Sequence, residues 1–335
     1  PRWPNERRPR RRMRFFITGI SGFAGSHLAR CLLDRGHVVT GAARGPGSLA
    51  ALHRRYGERF PPSAVGLCDI RDGAALRATL SRAEPDGVYH LAGLSFVPKA
   101  LERPELAYEV NFLGSIELLA AVRDVAPRAR VVLVTSGEVY GWIDPAQDLP
   151  LVESQPLRPL SPYSVAKAAA DLAGFQFFWS HSLDVVRARP FNHTGPGQTA
   201  EFVCSEFARA LAAAESGSGP KRLKVGNLEV ERDFSDVRDV VRGYLSLFEK
   251  GTAGEAYNLG SGRATRVRAV LDELRSRCRV PVEVDVDPRK VRPREVTRVV
   301  GSIEKIGRDT GWRPEIPLRQ TLVDLLDYWR QELDR

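Results

Sequence analysis

The sequence predicts an α/β protein with a doubly wound parallel sheet and a smaller C-terminal α/β lobe that binds the substrate. Almost continuous apolar segments alternate with helical patterns along the first half of the chain, which is typical of parallel strands covered by helices on both faces. A glycine-rich turn separates the first strand from the first helix. The 335 residues, 43% of them hydrophobic, suffice for a complete core and a second lobe.

The first strand, turn and helix contain the pattern of a dinucleotide site. Residues 14–18 are an apolar strand, and residues 27–33 continue with a helical pattern. The first glycine between them makes the turn, the second lets the backbone approach a pyrophosphate at the helix N-terminus, and the third lets helix and strand pack closely. The unit therefore predicts a Rossmann-type cofactor site. Its predicted cofactor contacts are Gly19, Gly22, Phe23, Ala24 and Gly25.

The end of the second strand, residues 37–43, indicates which cofactor is bound. An NAD site usually has an acidic residue here that binds the ribose 2′-hydroxyl, but no acid occurs between Asp34 and Glu58. Arg44 instead lies where a guanidinium would meet a 2′-phosphate. The sequence therefore favours NADP(H) over NAD. The alternative is that Arg44 is a solvated loop arginine.

Four further apolar strands continue the predicted sheet, over residues 64–68, 87–91, 130–135 and 184–189. Ligands of such folds bind outside the carboxyl ends of the strands. Residues at the ends of the first two of these strands are therefore expected near the adenine, ribose and phosphates. These predicted cofactor contacts are Asp69, Ile70, Leu91, Ala92 and Gly93.

The pattern changes after Pro190, where loops, prolines and arginines become more frequent. A helical run over 237–245 and a strand over 256–259 are expected to return to the first domain. The predicted divisions are a cofactor domain of residues 13–189 plus about 236–260, and a substrate lobe of about 190–235 plus 261–335.

The formal net charge of +9 is concentrated at the N-terminus. Residues 1–12 contain six arginines and one glutamate, which leaves +4 for the remaining chain. Met13 is the only methionine and is expected to be the natural start, so residues 1–12 are expected to be a disordered basic extension. This distribution argues against a nucleic-acid partner.

The composition also argues against a membrane or metal protein. No apolar run approaches the roughly 20 residues that span a bilayer, and no signal-peptide core follows the N-terminal charges. The four cysteines are far apart and have no metal-ligand spacing. We therefore expect a soluble cytoplasmic protein with reduced cysteines.

A serine, a tyrosine and a lysine form the predicted catalytic group. Tyr163 and Lys167 are one turn apart on a helix that follows Ser161-Pro162. The lysine ammonium is expected to lower the tyrosine pKa from about 10 toward the working range of a proton shuttle. Ser136, at the end of the fifth strand, is placed to hydrogen-bond a substrate oxygen. A hydroxyl, a phenol and an amine beside a dinucleotide site predict hydride transfer on a carbinol or ketone.

The order of the glycine turn, Ser136 and the Tyr163-x-x-x-Lys167 segment resembles the extended short-chain dehydrogenase/reductase family, from Met13 onward. The resemblance implies that these three residues are catalytic and that the cofactor binds in the first lobe. It implies a nucleotide-linked sugar as substrate, bound between the lobes. It also implies that Arg189 lies near the cofactor.

The family resemblance further implies a homodimer that packs through the Tyr163 helix and its neighbour. Small residues on this helix would permit close contact between helices. A face buried within the chain would explain them equally well. These residues are Ala166, Ala168, Ala169, Ala170 and Ala173.

Two segments resemble enzymes that act on GDP-mannose and its derivatives. Residues 225–234 (VGNLEVERDF) resemble their Gly-Asn-Leu-acid and Arg-Asp segment, and residues 292–296 (RPREV) resemble their Arg-Pro-x-Glu-Val segment. The resemblance implies that Arg232 and Arg292 bind a diphosphate and that Glu295 binds ribose hydroxyls, roles suited to bidentate groups. His193 is either a ligand contact or a loop histidine with a structural hydrogen bond. The implied substrate contacts are Ser136, Glu138, Asn192, Val225, Asn227, Arg232, Arg292 and Glu295.

Two reactions fit this resemblance. A 4,6-dehydratase needs a base at C5, which Glu138 matches, but usually has threonine at the Ser136 position. Residues 191–198 (FNHTGPGQ) and 232–237 (RDFSDV) are closer to 4-ketoreductases, which tolerate an acid at the Glu138 position. The implied function is NADPH-dependent reduction of the C4 ketone of GDP-4-dehydro-6-deoxy-D-mannose to GDP-D-rhamnose. GDP-mannose 4,6-dehydratase is the alternative, and a nucleotide-sugar 4-epimerase is third. The intact catalytic group argues against a non-catalytic NADP-binding sensor.

Overall fold

The computed structural model describes residues 12–48, 50, 52, 64–291 and 295–334. The predicted substrate residue Arg292 and all of the predicted basic extension except Arg12 lie outside these residues. Within the described ranges, no helix is both long and apolar enough to cross a membrane. No cluster of three or more His, Cys, Asp or Glu side chains in the same ranges is arranged to hold a metal ion.

Seven of the strands form one parallel sheet. The strands of the described residues are β1 (Arg14–Thr18), β2 (Val38–Ala43), β3 (Val65–Leu67), β4 (Gly87–His90), β5 (Arg130–Val134), β6 (Val185–Pro190), β7 (Asn192–Thr194), β8 (Arg222–Val225), β9 (Glu231–Asp236), β10 (Ala256–Leu259), β11 (Ala264–Arg266) and β12 (Glu283–Val286). The order of the main sheet is β10-β6-β5-β4-β1-β2-β3, and every neighbouring pair is parallel. The predicted α/β fold class is confirmed.

Helices connect these strands on both sides of the sheet. They are α1 (Phe23–Asp34), α2 (Gly73–Ala83), α3 (Val97–Glu102), α4 (Pro104–Tyr108), α5 (Gly114–Val125), α6 (Pro162–His181), α7 (Val203–Glu215), α8 (Val237–Lys250), α9 (Val267–Ser276), α10 (Glu304–Thr310) and α11 (Leu318–Leu333). A π-helical turn, Glu109–Leu113, joins α4 to α5, and a short 3₁₀ helix, Gly137–Tyr140, follows β5.

Alternating side chains of the strands divide the core of the main sheet in two. Phe15 and Ile17 of β1 pack on one face with residues of α1 and α8. Phe16 packs on the other face with residues of α2 and α5. Because both faces are buried, the strands consist almost entirely of apolar residues, which is the pattern that predicted a parallel sheet.

The order of the strands reverses between β1 and β4, because the chain adds β2 and β3 on one side of β1 and the remaining strands on the other. At such a switch point, the loops after the two central strands diverge and leave a crevice at the carboxyl edge of the sheet. The glycine turn after β1 and the residues after β4 and β5 all lie at this edge. The topology therefore brings the predicted cofactor and catalytic segments together.

A second core lies beside this edge. It contains a three-stranded sheet, β11-β9-β7, and a parallel pair, β12-β8. Helices α7, α9 and α11 pack with these strands around Phe207, Leu223, Leu271 and Leu325.

Helix α10 packs on a different domain from the one predicted for it. Residues 261–335 were assigned to the substrate lobe, but Ile306 and Trp312 are buried in the core of the main sheet. The Trp312 indole also donates to the carbonyl of Asp239 in α8, at 3.0 Å. This part of the C-terminal segment therefore packs on the first domain, because its large apolar side chains cover the outer strand β10 and α8.

Candidate active site

The turn between β1 and α1 has the shape that a dinucleotide phosphate needs. Gly19 has a φ of +69°, and a Cβ there would lie 2.8 Å from the amide nitrogen of Ala92. A Cβ on Gly25 would lie 2.2 Å from the carbonyl oxygen of Gly19. Helix α1 begins after Gly22 without a side-chain cap or an acid in its first turn. Its first amides are therefore available to an anion, and the turn fits a dinucleotide phosphate.

The opposite end of the predicted cofactor site has charged groups of both signs. Arg44 is exposed just after β2. Asp69, after β3, accepts from the Nε and Nη2 of Arg71 at 3.1 and 2.9 Å. These hydrogen bonds are the main reason that the Asp69 pKa is lowered, and the charge of Arg44 contributes to the same shift. Arg44 and Asp69 therefore lie near one another at this edge.

A cavity of about 540 Å³ lies beside Asp69. Its lining residues are Asp69, Arg71, Asp72, Glu109, Leu113, Ile116 and Glu117. Ile70, which was also predicted to contact the cofactor, is 7% exposed and packs in the core below β1 and β4. Its side chain is therefore directed into the core, and only its backbone can reach a ligand.

A buried chain of hydrogen bonds connects β1 to the segment after β4. The amide of Ala92 donates to Thr18 Oγ1 at 3.2 Å, and Thr18 Oγ1 lies 2.7 Å from His90 Nδ1. His90 Nε2 lies 3.0 Å from Ser115 Oγ, which donates to the carbonyl of Asn111 at 2.7 Å. Burial lowers the His90 pKa to about 3, so the imidazole is neutral. A proton on Nε2 then gives every member of the chain one donor and one acceptor.

The π-helical turn places Asn111 beneath the same segment. The Asn111 side chain accepts from the amide of Leu94 at 2.8 Å and donates to its carbonyl at 3.0 Å. A Cβ on Gly93 would lie 2.8 Å from Asn111 Oδ1 and 3.4 Å from Lys167 Nζ. Sequence reasoning missed His90 and Asn111, and their only signal was a polar residue inside an apolar run.

Ser136, Tyr163 and Lys167 lie together at the carboxyl end of β5. Helix α6 begins with a capping box between Ser161 and Ser164, so Tyr163 lies in its first turn. Ser136 Oγ accepts from the amide of Glu138 at 3.1 Å and lies close enough to the phenol of Tyr163 to affect its pKa. Lys167 Nζ donates to the carbonyl of Val134 at 3.0 Å.

The pKa of Tyr163 contradicts the sequence-based expectation. The Tyr163 pKa is raised to about 12, mainly by burial and in smaller part by the charge of Glu138, while the neighbouring Ser136 hydroxyl opposes the shift. The Lys167 amine, whose own pKa burial lowers to about 8, points to Val134 and does not lower the tyrosine pKa. Tyr163 is therefore a neutral phenol in the structure. It is suited to donate a proton rather than to remove one.

The predicted substrate residues fall into two groups. Asn192 is exposed after β6, and Glu138 is exposed in the 3₁₀ helix beside Ser136. Glu295 accepts from Arg232 Nη2 and from Asn227 Nδ2, each at 3.3 Å. These three side chains therefore form one cluster at the edge of the second core.

Two other predicted contacts are corrected by the structure. Val225 is 1% exposed, because its side chain packs in the core of the second lobe. Arg189, which was expected near the cofactor, is 4% exposed. Its guanidinium is directed away from the cofactor turn into a buried ion pair with Asp171. Neither side chain is available to a ligand.

Two histidines make contacts between the start of α1 and the segment around β7, and one of them is His193. Its Nδ1 hydrogen-bonds the carbonyl of Phe191 at 3.0 Å. Its ring stacks on Phe23 of α1, with centroids 6.0 Å apart. In the same region, His27 Nε2 lies 2.9 Å from the carbonyl of Pro196. Of the two sequence-based interpretations of His193, the structure shows the structural hydrogen bond.

Comparisons with known proteins agree with this geometry. Residues 16–325 match the family model described as GDP-mannose 4,6 dehydratase. The chain is 36% identical over 320 residues to a GDP-6-deoxy-D-mannose reductase of Pseudomonas aeruginosa, which covers 96% of this chain and 98% of the relative. It is 29% identical over 336 residues to a GDP-mannose 4,6-dehydratase of Sinorhizobium fredii, which covers 92% and 94%.

Solved structures show the same fold. The structure of RMD from Pseudomonas aeruginosa complexed with NADPH is similar, with a TM-score of 0.82, 34% identity, and coverage of 96% of this chain and 99% of that one. The structure of Thermus thermophilus UDP-glucose 4-epimerase with NAD has a TM-score of 0.83 and 28% identity, covering 95% and 99%.

Gly25→Ala tests the fit of the turn to a dinucleotide. The added Cβ meets the backbone of Gly19, and overpacking of this kind costs about 1–3 kcal/mol, so NADPH binding should weaken about tenfold or more. A fluorescence titration with NADPH measures the change. Gly307→Ala in α10 is the control, because its Cβ would make only an ordinary contact at 3.6 Å. Equal NADPH affinity in the two variants would contradict the assignment.

Proposed function

The chain belongs to the GDP-mannose 4,6 dehydratase family, and within it we propose that the protein reduces the C4 ketone of GDP-4-dehydro-6-deoxy-D-mannose to GDP-D-rhamnose with NADPH. The observation that carries this choice is the 36% identity with a GDP-6-deoxy-D-mannose reductase, over 96% of this chain and 98% of that protein. The buried phenol of Tyr163, which keeps its proton at neutral pH, is consistent with the proton donor that a ketoreductase needs.

The chemistry divides between the cofactor and three side chains. The nicotinamide, when bound, supplies the hydride that is added to C4. Tyr163 donates its hydroxyl proton to the oxygen that gains charge, and Ser136 donates a hydrogen bond to the same oxygen. The ammonium of Lys167 adds positive charge behind them. Because all three side chains are buried, and Ser136 and Lys167 are held by hydrogen bonds to the backbone, little reorganisation accompanies the reaction.

We assign the cofactor contacts to the edge where the turn and the strand ends meet. The backbone from Gly19 to Gly25 binds the pyrophosphate, and Arg44 binds the 2′-phosphate. Asp69 accepts from the adenine amino group beside the cavity that it lines. Leu91, Ala92 and Gly93 pass along the ribose. The exposed Arg44, together with the NADPH-bound structure of the Pseudomonas aeruginosa protein, supports NADP(H).

We assign the nucleotide of the substrate to the second lobe. Arg232 binds the diphosphate, and Asn227 and Glu295 bind the nucleoside. Their mutual hydrogen bonds at 3.3 Å support this role, because they hold the guanidinium and the carboxylate in place before the ligand arrives. Asn192 contacts the sugar between the lobes.

A second candidate, the 4,6-dehydratase, rests on one observation. Glu138 is exposed next to Ser136, and its charge reaches Tyr163 strongly enough to raise the phenol pKa. A carboxylate in this position is placed to remove the C5 proton of an oxidised hexose. A 4-epimerase, the third candidate, is supported only by the shared fold with UDP-glucose 4-epimerase.

The reductase proposal predicts stoichiometric NADPH oxidation with GDP-4-dehydro-6-deoxy-D-mannose and a product that NMR identifies as GDP-D-rhamnose. Tyr163→Phe removes the proton donor and should lower kcat about 10²- to 10⁴-fold. Glu138→Gln should change kcat less than about threefold, since no proton leaves C5, whereas a dehydratase would lose about 100-fold or more. Failure to consume NADPH, with loss of water from GDP-mannose instead, would replace this proposal with the dehydratase.

The pH dependence of kcat should follow Lys167. Its pKa of about 8 means that the ammonium is lost as the pH rises through that value, whereas Tyr163 stays protonated to about 12. The rate should therefore fall above about pH 8. Lys167→Arg keeps the positive charge to higher pH and should move the fall upward. Turnover of both enzymes from about pH 6 to pH 10 measures this, and an identical decline in both would contradict the assignment.

We also propose a homodimer through α6, although four of the five alanines named above face inward. Ala166, Ala168, Ala170 and Ala173 are buried against the chain's own core, because they let α6 approach the sheet, and only Ala169 is partly exposed. The exposed face is large and apolar instead. It consists of Val165, Leu172, Phe175 and Trp179, which are 38%, 60%, 44% and 76% exposed. Their spacing of seven, three and four residues forms a seam of the kind that packs against a second helix.

Leu172→Glu combined with Trp179→Glu tests this interface. Charges in the seam should convert a dimer to a monomer in light scattering after size exclusion, with little change in thermal stability because both side chains are exposed. Gln331→Glu, on the exposed face of α11, adds one negative charge elsewhere and should leave the dimer intact, as a control for each single substitution of the pair. A monomeric parent protein, or a variant that remains dimeric, would rule out this surface.

A further inference from the structure

A buried carboxylate lies one turn beyond Lys167 on α6. Asp171 is fully buried and accepts four hydrogen bonds. The donors are Arg187 Nη1 at 2.6 Å, Arg189 Nη2 at 2.7 Å, Arg189 Nε at 2.9 Å and Thr135 Oγ1 at 3.1 Å. Burial by itself raises the Asp171 pKa, but the hydrogen bonds and charge of Arg189 outweigh it and lower the pKa. Asp171 is therefore an ionised acceptor inside the protein.

The donors to Asp171 come from both strands next to α6. Thr135 directly follows β5. Its one hydroxyl group is shared between Asp171 and the carbonyl of Ala188 in β6, which lies 3.1 Å from Oγ1. Arg187 and Arg189 are alternate residues of β6 and point to the same face of the sheet. One carboxylate therefore joins the helix that carries Tyr163 to the two strands on which it packs.

The same network reaches the other side of Ser136. Arg189 Nη1 donates to the phenol oxygen of Tyr140 at 3.1 Å, and the Tyr140 hydroxyl donates to Asn258 Oδ1 at 2.7 Å. Tyr140 is the last residue of the 3₁₀ helix that begins after Ser136. Thr135 is fixed immediately before the serine, and Tyr140 is fixed four residues after it. The segment that carries the serine is therefore held at both ends.

Four of the five N–H groups of Arg189 are engaged within the protein, and the residue is buried. Its Nε and Nη2 bind Asp171, and its Nη1 binds both Tyr140 and the carbonyl of Glu153, at 3.1 Å. Burying an ion pair gives little net stability compared with an apolar core of the same volume. What this pair supplies is a set of directed contacts, which set the distance and orientation between β5, β6 and α6.

We propose that Asp171 and Arg189 are positioning residues, which hold Ser136 opposite Tyr163 and Lys167 so that the serine hydroxyl and the phenol meet the same substrate oxygen. This inference rests on the proposed function, because it needs a reaction in which both hydroxyls act on one oxygen. Neither residue touches the substrate or the cofactor. Both act through the backbone and through Thr135 and Tyr140.

Arg189→Lys in the full chain tests the proposal. The lysine keeps the charge but cannot bind Asp171 and Tyr140 at once. A displacement of about 1 Å at reacting groups costs about 100-fold in rate, so kcat should fall by about that factor. The KM for the keto sugar and the Kd for NADPH should stay within about threefold, since the binding residues are untouched.

Arg330→Lys is the matched control. Arg330 binds Glu215 through Nε and Nη2, at 2.7 and 2.8 Å, in a half-buried pair of the second lobe. This substitution should lower the melting temperature with kcat unchanged. If Arg189→Lys does not fold, Tyr140→Phe removes only one end of the network. It should lower kcat roughly fivefold to tenfold, the worth of about one buried hydrogen bond.

Amide hydrogen exchange tests the positioning role of Asp171 and Arg189 independently of the reaction that the protein catalyses. Peptides covering residues 135–141 should exchange faster in Arg189→Lys than in the parent protein and in Arg330→Lys, whichever sugar is the substrate. If the parent protein does not reduce the keto sugar, the proposed function fails, and the exchange rates still decide the positioning role. Unchanged exchange rates in residues 135–141 would overturn the proposal. So would a higher KM or a weaker affinity for NADPH with kcat unchanged.

Discussion

The close packing of α6 against β5 and β6 is the constraint on which the rest of the site depends. Small residues on the inner face of the helix allow it, and a Cβ on Gly174 would lie 2.6 Å from a methyl carbon of Leu133. At this distance Lys167 Nζ reaches the carbonyl of Val134 and lies close to Gly93. The Lys167 amine is thus tied both to the strand that precedes Ser136 and to the predicted cofactor edge.

The same packing accounts for the proton state of the site. Because α6 covers the end of the sheet, Tyr163 and Lys167 are both withdrawn from water, and burial favours the neutral form of each. The phenol therefore keeps its proton, and the amine titrates near neutral pH. A phenol in this state can donate a proton to the oxygen of a ketone that is being reduced, as the proposed reaction requires.

Local patterns in the sequence were sufficient to predict the sheet, the glycine turn and the order of the catalytic residues. Strands buried on both faces are continuous apolar runs, and a turn without Cβ atoms must be glycine. Features that depend on contacts distant in sequence could not be predicted in this way. The proton state of Tyr163 depends on burial by the whole fold. The burial of Arg189 depends on Asp171, which lies on another element. Ile306 and Trp312 pack in the core of the main sheet, although they lie far along the chain from the strands that they cover.

The most direct test of hydride delivery to C4 is to run the reduction with NADPH in deuterium oxide. NMR of the product then shows which carbons carry deuterium. If Tyr163 supplies only the hydroxyl proton, C4 receives protium from NADPH and no carbon of the sugar gains deuterium. Deuterium at C5 in excess of that gained by the keto sugar without the protein, and absent with Glu138→Gln, would show that Glu138 had removed the C5 proton. That result would contradict a simple reductase.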